Sequence, residues 1–270
     1  KPQTQDNYYR DLYVLAWRNN PNLPTNRPPL QNLAVKSMRA KLTLSGPDGW
    51  FIANSAPPTD PALFAEAPVV PGEEDFHSDD VENLTGNLSA DGTLNWNAPA
   101  GEWQVLRVGC TLADIRHVST HSDGWRGYAL DVLNEAAFGR YWDAVVEPLL
   151  QDAKPYAGKT LTHLHTDSWE IGAFNLTPAL REEFKRLRGY DMLPWLPVLA
   201  GRIVNDREEC NRFLHDFRKT LGDLAVERHY RPFQKRAARY GLGIHPESGG
   251  PHFTPIDAQR CLGLNDIPMS

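Results

Sequence analysis

Two segments of the sequence end in side chains that can perform acid–base chemistry. They are LTHLHTDSWE at residues 161–170 and GLGIHPESGG at residues 241–250. Each begins as a short alternating or apolar run, which is typical of a β-strand, and closes with polar residues. A helical pattern follows the first segment and precedes the second. Because functional groups gather at the carboxyl ends of strands in parallel α/β folds, Glu170 and Glu247 are the leading candidates for a pair of catalytic carboxylates.

Paired carboxylates are the groups that break a glycosidic bond. One carboxylic acid protonates the leaving oxygen, and in an inverting enzyme a carboxylate about 6.5–9.5 Å away activates water. Trp169 lies next to Glu170 in the sequence and could raise the pKa of the acid while stacking on a sugar ring. Asp167 could bind sugar hydroxyls or a metal. An isolated acid at a strand end is, however, more often a helix cap or a salt-bridge partner than a catalyst.

The same strand ends carry two histidines, His165 and His245. We predict that they bind substrate together with Asp167 and Trp169, although a histidine at such a position can equally be structural. His165, Asp167 and His245 could also hold a metal, but no H-x-x-x-H or similar spacing supports zinc. Oxygen-rich ligands would favour calcium. The metal ligands stay undefined at this stage.

The elements that must position these groups change in character along the chain. Residues 1–118 hold more than half of the prolines and read as loops joining short strands at 11–17, 37–44, 93–96 and 103–108. The last two strands flank Pro99-Ala100-Gly101, which predicts a hairpin. We therefore predict an all-β, sandwich-like accessory region.

Residues 119–270 alternate apolar runs with helical periodicity. The pattern predicts strands at 127–133, 161–165, 241–245 and 264–269, and helices at 134–150, from Thr177 to Gly189, and at 206–240. Such alternation is typical of an α/β fold, and a complete barrel would need eight strands where about four are visible. We predict the N-terminal half of a (β/α)8 TIM-type barrel. No Gly-rich phosphate loop follows a strand, which disfavours a nucleotide-binding fold.

Composition excludes several classes of partner. The net charge is −6 without a basic cluster, so nucleic acid is not expected as a partner. No apolar run approaches the roughly 20 residues that span a bilayer. Cys110, Cys210 and Cys261 are too widely spaced for a disulfide framework or a zinc motif, and we predict that they are free and mostly buried.

Five segments of the chain carry a resemblance to a known family: DGTLNWNAPAGEWQVLRVG, HTDSWEIGAFNLTPALREEFKRLRGYDMLPWLPVLAGR, RFLHDFRKTLGDLAVERHY, GLGIHPESGGP and DIPMS. Through them the chain resembles the α-L-rhamnosidases of glycoside hydrolase family 106. The resemblance implies a (β/α)8 barrel with β-domains that removes terminal α-L-rhamnose from a polysaccharide or glycoside with inversion, with calcium at the sugar site. It places the family's acid at Glu170, the glutamate of its ESGG-like segment at Glu247, and an acidic residue of the first barrel strand at Asp131, which we add to the predicted substrate-binding residues.

The resemblance also sets expectations about completeness and location. In the family a further glutamate follows the DIPM segment, whereas this chain ends at Ser270. We therefore expect the 270-residue chain to be incomplete and inactive, or nearly so, by itself. Family members are commonly exported, which suggests the periplasm, the cell surface or secretion.

Two alternatives remain open from the sequence. The first is a glycosidase of other specificity, such as a galactosidase or an arabinosidase. The second is a non-catalytic carbohydrate-binding protein that holds sugar through Trp169, Asp167 and Glu247. Which of the two glutamates is the acid and which the base is also undecided.

Overall fold

The computed structural model of the protein describes residues 3–39, 66–113, 123–124, 127–167, 174–248 and 256–269. Its strands are, in chain order, β1 (Arg10–Arg18), β2 (Glu82–Asn83), β3 (Trp103–Cys110), β4 (His163–Leu164) and β5 (Gly243–Ile244). Its α-helices are α1 (Leu33–Lys36), α2 (Glu135–Tyr141), α3 (Glu147–Ala153), α4 (Leu180–Arg188), α5 (Leu196–Leu199), α6 (Arg207–Ala225), α7 (Arg231–Ala238) and α8 (Ala258–Leu262). Two π-helical segments, Trp142–Val146 and Val226–Tyr230, join α2 to α3 and α6 to α7.

The chain divides into two compact units. The first contains Lys1–Ser37, Pro58–Ala113 and Phe184–Phe217, and the second contains Met38–Pro57, Asp114–Glu183 and Arg218–Ser270. The boundaries between the units fall inside α4 and α6. The sequence did not indicate that residues 184–217 would pack with the N-terminal unit, and the predicted domain boundary near residue 118 stays a prediction.

A three-stranded antiparallel sheet organises the first unit, with β1 between β2 and β3. The central place of β1 follows from its sequence, since its apolar run Val14–Trp17 is buried on both faces. The strands predicted at 11–17 and 103–108 are therefore confirmed. Within the described part of residues 1–118 this is one sheet, and the second sheet that a sandwich requires is not among its elements.

The predicted hairpin around Pro99-Ala100-Gly101 is wrong. β3 pairs along its length with β1, from Arg10↔Cys110 to Arg18↔Trp103, whereas Leu94 forms an isolated bridge with Leu88. Trp96 meets Trp103 edge-on, with ring centroids 5.0 Å apart, and both pack on the Val14, Ala16 and Leu84 cluster. Side-chain packing thus replaces the expected ladder. Of the strand predicted at 37–44, residues 37–39 form a turn and the rest lie outside the described residues.

Buried ion pairs join the segments of the first unit. Arg207 at the start of α6 forms two hydrogen bonds with the Glu73 carboxylate, both 2.8 Å, and each side chain is 3 % exposed. Glu66 contacts both Arg207 and Lys36. Arg27 holds Asp75, which also accepts the backbone N–H of Ile203. A buried charge is tolerated only when it is paired and hydrogen-bonded, so these contacts fix the three chain segments of the unit together.

The helical predictions for residues 119–270 are confirmed and one strand prediction is wrong. Residues 135–153 form one helical run whose first N–H groups are capped by the Asn134 side chain, and residues 207–238 form another that ends before Gly241, at φ +67°. Residues 127–133 are not a strand: Tyr128 forms a single bridge, and residues 132–133 form a turn that leads into α2. A short apolar run does not distinguish a strand from a packed turn.

β4 and β5 form a parallel pair in the second unit, with His163 opposite Gly243 and Leu164 opposite Ile244. The fold is therefore mixed α/β, as predicted, and the half-barrel stays a prediction. Ile244 belongs to a hydrophobic core between the two helical runs, and Leu164 packs against it. The buried members of this core are Phe138, Trp142, Leu150, Phe233, Ala237, Leu242 and Ile244. Within the described residues no helix combines the length and the apolar character that a membrane crossing requires.

The buried Arg207–Glu73 pair gives a stability prediction. We expect Arg207→Met to lower the free energy of unfolding by about 3–5 kcal/mol, because the Glu73 carboxylate would stay buried without its partner. Urea unfolding monitored by circular dichroism measures the change.

The matched control is Arg212→Met on the same helix, since Arg212 is 61 % exposed in its pairs with Glu208 and Glu209. That substitution should change stability by less than about 0.5 kcal/mol. Equal effects of the two substitutions would contradict the structural role of the buried pair.

Candidate active site

The parallel ladder of β4 and β5 extends beyond the two assigned residues of each strand. The N–H of His245 donates to the Leu164 carbonyl oxygen at 2.8 Å, and that of Glu247 donates to the Thr166 carbonyl oxygen at 3.1 Å. Side chains alternate between the two faces of a strand. Because Leu164 and Ile244 face the core, their odd-numbered neighbours at 163–167 and 243–247 share the opposite face.

His165, Asp167 and Glu247 come together on that face. One ligand atom from each side chain lies within 4.8 Å of the other two; His165 and Asp167 are exposed and Glu247 is half-buried. Three of the predicted site residues are therefore brought together at the ends of two neighbouring strands. The cluster can accept hydrogen bonds from a polyhydroxylated ligand or donate electron pairs to a cation.

His165 is held in one orientation by the neighbouring segment. Its Nδ1 lies 2.6 Å from the carbonyl oxygen of His245. A carbonyl can only accept, so Nδ1 carries the proton and donates it, and in the neutral ring Nε2 has the free electron pair. The rings of His165 and His245 meet at 5.6 Å between centroids. His245 therefore positions His165 through both its backbone and its ring.

A third segment supports β5 from the side opposite β4. The N–H of Asp266 donates to the Ile244 carbonyl oxygen at 3.0 Å, and the Asp266 carboxylate accepts the N–H of Ile244 at 2.8 Å. Met269 then forms a parallel bridge with Glu247. Of the strand predicted at 264–269, this bridge is the part that the structure shows. The sequence analysis did not predict that Asp266 positions β5. The one signal in the sequence is its place before the apolar pair Ile267-Pro268.

Gly243 lets His163 lie across β5. A Cβ atom at Gly243 would stand 2.6 Å from Cδ2 of His163 and 3.0 Å from an oxygen of Asp266. Any larger residue would displace one of these groups. The glycine is thus required by the half-buried ring of His163.

Asp131 forms the turn that precedes α2. Its carboxylate accepts hydrogen bonds from the Leu133 N–H at 3.1 Å and from the Thr177 hydroxyl at 2.9 Å. Burial raises the pKa of Asp131, while these hydrogen bonds act in the opposite direction. Thr177, which precedes α4, thus uses its hydroxyl to hold Asp131. The substrate-binding role of Asp131 stays a prediction.

Two predicted residues, Trp169 and Glu170, lie outside the described residues. The pairing of Glu170 with Glu247 therefore stays a prediction. The cysteines are free, as predicted, with Cys210 and Cys261 buried and Cys110 half-buried. Burial raises the pKa of the Cys210 and Cys261 thiols to about 12, so neither is a nucleophile at neutral pH.

Comparison with protein families identifies the chain. The family model of the α-L-rhamnosidases of glycoside hydrolase family 106 matches residues 2–270. The chain belongs to this family. The rhamnosidase from Novosphingobium sp. PP1Y has a similar structure, with 35 % identity and a TM-score of 0.64 over 72 % of this chain and 19 % of the other. The predicted resemblance to family 106 is confirmed.

A second relative has a different name. A protein of Formosa agariphila, described as a candidate beta-glucuronidase, is 31 % identical over 269 residues, which is 100 % of this chain and 21 % of that protein. The chain thus spans about a fifth of the length of the relatives that it matches. The comparisons agree on a glycoside hydrolase.

The raised pKa of Asp131 predicts a pH dependence of stability. Between the ordinary value of 3.8 and the raised value, the folded state binds more protons than the unfolded state. The free energy of unfolding of the wild-type chain should therefore fall as the pH rises through this window, relative to Asp131→Asn, which cannot titrate. Urea unfolding between pH 4 and pH 7 measures the difference.

The same substitution at the exposed Asp152 of α3 controls for the loss of one charge. The difference in the free energy of unfolding between Asp131→Asn and the wild-type chain should change with pH. The corresponding difference for Asp152→Asn should stay constant. Stability curves that stay parallel for Asp131→Asn across the whole range would contradict the desolvated carboxylate.

Proposed function

We propose that this chain carries part of the catalytic site of an inverting α-L-rhamnosidase that removes terminal rhamnose from a polysaccharide or glycoside. The supporting observation is the cluster of His165, Asp167 and Glu247 at the ends of two parallel strands, in a chain that matches the α-L-rhamnosidase family from residue 2 to 270. Polar groups at the carboxyl end of a parallel sheet form the active sites of such folds.

In this proposal Glu170 and Glu247 are the acid–base residues. One protonates the glycosidic oxygen as the bond to the anomeric carbon breaks, and the other removes a proton from the water that attacks the opposite face of the ring. Asp167, His165 and His245 contact the sugar hydroxyls, Trp169 stacks on the ring, and Asp131 adds a further polar contact. The backbone of Glu247 pairs with Thr166 on one side and with Met269 on the other, so the position from which its side chain extends is fixed.

We also propose calcium as a cofactor, on the family resemblance. The carboxylates of Asp167 and Glu247 suit this cation, because calcium takes six to eight oxygen ligands. The imidazole of His165 does not suit it. The described residues therefore supply only part of a calcium shell. When bound, calcium would neutralise the Asp167 carboxylate and orient sugar hydroxyls, which leaves Glu247 for the proposed acid–base steps.

The extracellular location of polymeric substrates leads us to propose that the protein acts in the periplasm, on the cell surface or after secretion. The family resemblance is the support for this location. Fractionation of the source cells, followed by immunodetection of this chain, tests it directly.

A second candidate function is the hydrolysis of a different glycoside. The name of the Formosa agariphila relative favours a β-glucuronide as the comparison substrate. Aryl α-L-rhamnoside, β-D-glucuronide, galactoside and arabinoside should be assayed side by side, with the anomer of the first product followed by NMR. Release from the glucuronide alone, or a product of retained configuration, would refute an inverting rhamnosidase.

Neutral substitution of the two glutamates tests the catalytic roles. Because the chain spans about a fifth of its relatives, the assay uses the full-length protein that contains it. We expect Glu170→Gln and Glu247→Gln each to lower kcat by about 10²–10⁴-fold on an aryl α-L-rhamnoside, since each removes one proton-transfer group. The KM should change far less than kcat.

Glu208→Gln is the matched control, since this glutamate is 82 % exposed on α6. It should leave both kinetic constants unchanged. Two results together would contradict the hydrolase: a wild-type protein without turnover, and a Glu170→Gln variant that no longer binds rhamnose in calorimetry. The non-catalytic carbohydrate-binding function would then replace it.

A further inference from the structure

The two residues on either side of Glu247 are held by one side chain, that of Asn265. The amide nitrogen Nδ2 of Asn265 donates to the Pro246 carbonyl oxygen at 2.9 Å and to the Ser248 hydroxyl at 2.8 Å. We propose that Asn265 is a positioning residue that fixes the Glu247 carboxylate for proton transfer. This inference rests on the proposed function, in which Glu247 is an acid–base residue, and Asn265 acts through the backbone that carries Glu247.

The hydrogen-bonding groups of the Asn265 amide are all used by this contact. Its NH₂ group has two N–H donors, and the two neighbours of Glu247 take one each. Its oxygen, Oδ1, lies 3.2 Å from the hydroxyl of the fully buried Ser248, which can donate to it. Because the Pro246 carbonyl can only accept, the orientation of the amide is defined. Aspartate has the same shape as asparagine but no donor, so it cannot replace Asn265 here.

Pro246 is the reason that a side chain is needed at this point. Segment 264–269 lies beside β5, and a proline has no N–H with which to pair with a neighbouring segment. Two residues earlier the Ile244 N–H is likewise taken by a side chain, the Asp266 carboxylate, at 2.8 Å. Side chains thus replace part of the backbone ladder on this side of β5, and Asn265 supplies the contact closest to Glu247.

Asn265 is itself anchored to helices of the second unit. Its N–H donates to the Leu262 carbonyl oxygen, at the end of α8, at 3.1 Å. The carbonyl oxygen of the preceding residue, Leu264, accepts a hydrogen bond from the Gln234 side chain of α7 at 2.8 Å. A residue held in this way can impose a position on its neighbours, so Asn265 connects the end of β5 to the helices.

The position of Glu247 matters because proton transfer depends steeply on geometry. A displacement of about 1 Å can lower the rate of an enzyme by about a hundredfold. Glu247 lies beyond the two assigned residues of β5, where its N–H bonds to Thr166 and its backbone forms an isolated bridge with Met269. Without the Asn265 amide both chain neighbours of Glu247 would lose a partner, and the carboxylate would occupy a wider range of positions.

A double-mutant cycle in the full-length protein that contains this chain tests the inference. We expect Asn265→Ala to lower kcat on an aryl α-L-rhamnoside by about 10–100-fold and to change the KM by less than about threefold. In the Glu247→Gln background the same substitution should lower kcat by less than about threefold, because no proton-transfer group is left to position. A merely structural role would lower kcat equally in both backgrounds, and that result would overturn the inference.

The matched control is Asn87→Ala in the first unit. The Asn87 amide also donates to a carbonyl oxygen, that of Asn95, at 2.9 Å, so the control removes a bond of the same kind and should leave kcat unchanged. Asn265→Asp keeps the shape of the side chain without its donors and should reproduce the loss of kcat. It covers the case in which Asn265→Ala does not fold.

Hydrogen exchange of the 270-residue chain, followed by NMR, is a readout that requires no activity. Asn265→Ala should raise the exchange rate of the Glu247 N–H by at least about tenfold and that of the His245 N–H by less than about threefold. Equal exchange rates of the Glu247 N–H in the variant and the wild type would overturn the inference even in an active rhamnosidase. An unchanged kcat in Glu247→Gln would instead contradict the proposed function, and this inference would fail with it.

Discussion

The parallel pairing of β4 with β5 is the interaction on which the rest of the site depends. It sets His163 opposite Gly243 and Leu164 opposite Ile244, and the hydrogen bonds that continue it bring Glu247 beside Thr166. Side chains alternate between the two faces of a strand with a period of two. If β5 slipped by one residue relative to β4, Glu247 would therefore turn towards the core and Ile244 towards solvent. The register is therefore specified by burial on one face and used by chemistry on the other.

The helices enforce that register through packing. Ile244 and Leu242 are buried against Phe138 and Phe233 from the two helical runs, with Leu164 partly buried at the same place. Fully burying a side chain of this size stabilises a fold by about 1.5–3 kcal/mol, so exposing it by a slip would be costly. The polar residues at 165, 167 and 247 have no such preference for position and follow their apolar neighbours.

The sequence predicted the parts of the structure in which local pattern and final packing agree. The helices at 134–150 and 206–240 and the strand at 11–17 follow from periodicity. Strand-end chemistry pointed to the two segments whose ends hold His165, Asp167 and Glu247. The hairpin failed because β3 found a partner about ninety residues away in sequence, which no turn signal reports. Glu170 lies outside the described residues.

One helical detail shows how packing altered a correct prediction. The buried residues of the 135–153 run recur every four positions, at Phe138, Trp142 and, beyond the partly buried Val146, Leu150. Val145 and Leu149, one position earlier in each turn, are 43 % and 63 % exposed. A spacing of four exceeds the 3.6 residues of an α-helical turn. The π-helical segment Trp142–Val146 widens the turn and restores the match.

The site combines a fixed imidazole with carboxylates of different burial. His165 is fixed at its Nδ1 by a neighbouring strand end, and Glu247 is half-buried with backbone neighbours on both sides, so both present their functional atoms from defined origins. Asp167 is exposed and directly follows Thr166, whose carbonyl oxygen accepts the last hydrogen bond between the two segments, from the N–H of Glu247. A ligand that enters from solvent therefore meets the exposed His165 and Asp167 first and the half-buried Glu247 last. This order suits a site that must admit a polar ligand and then hold it in a single orientation.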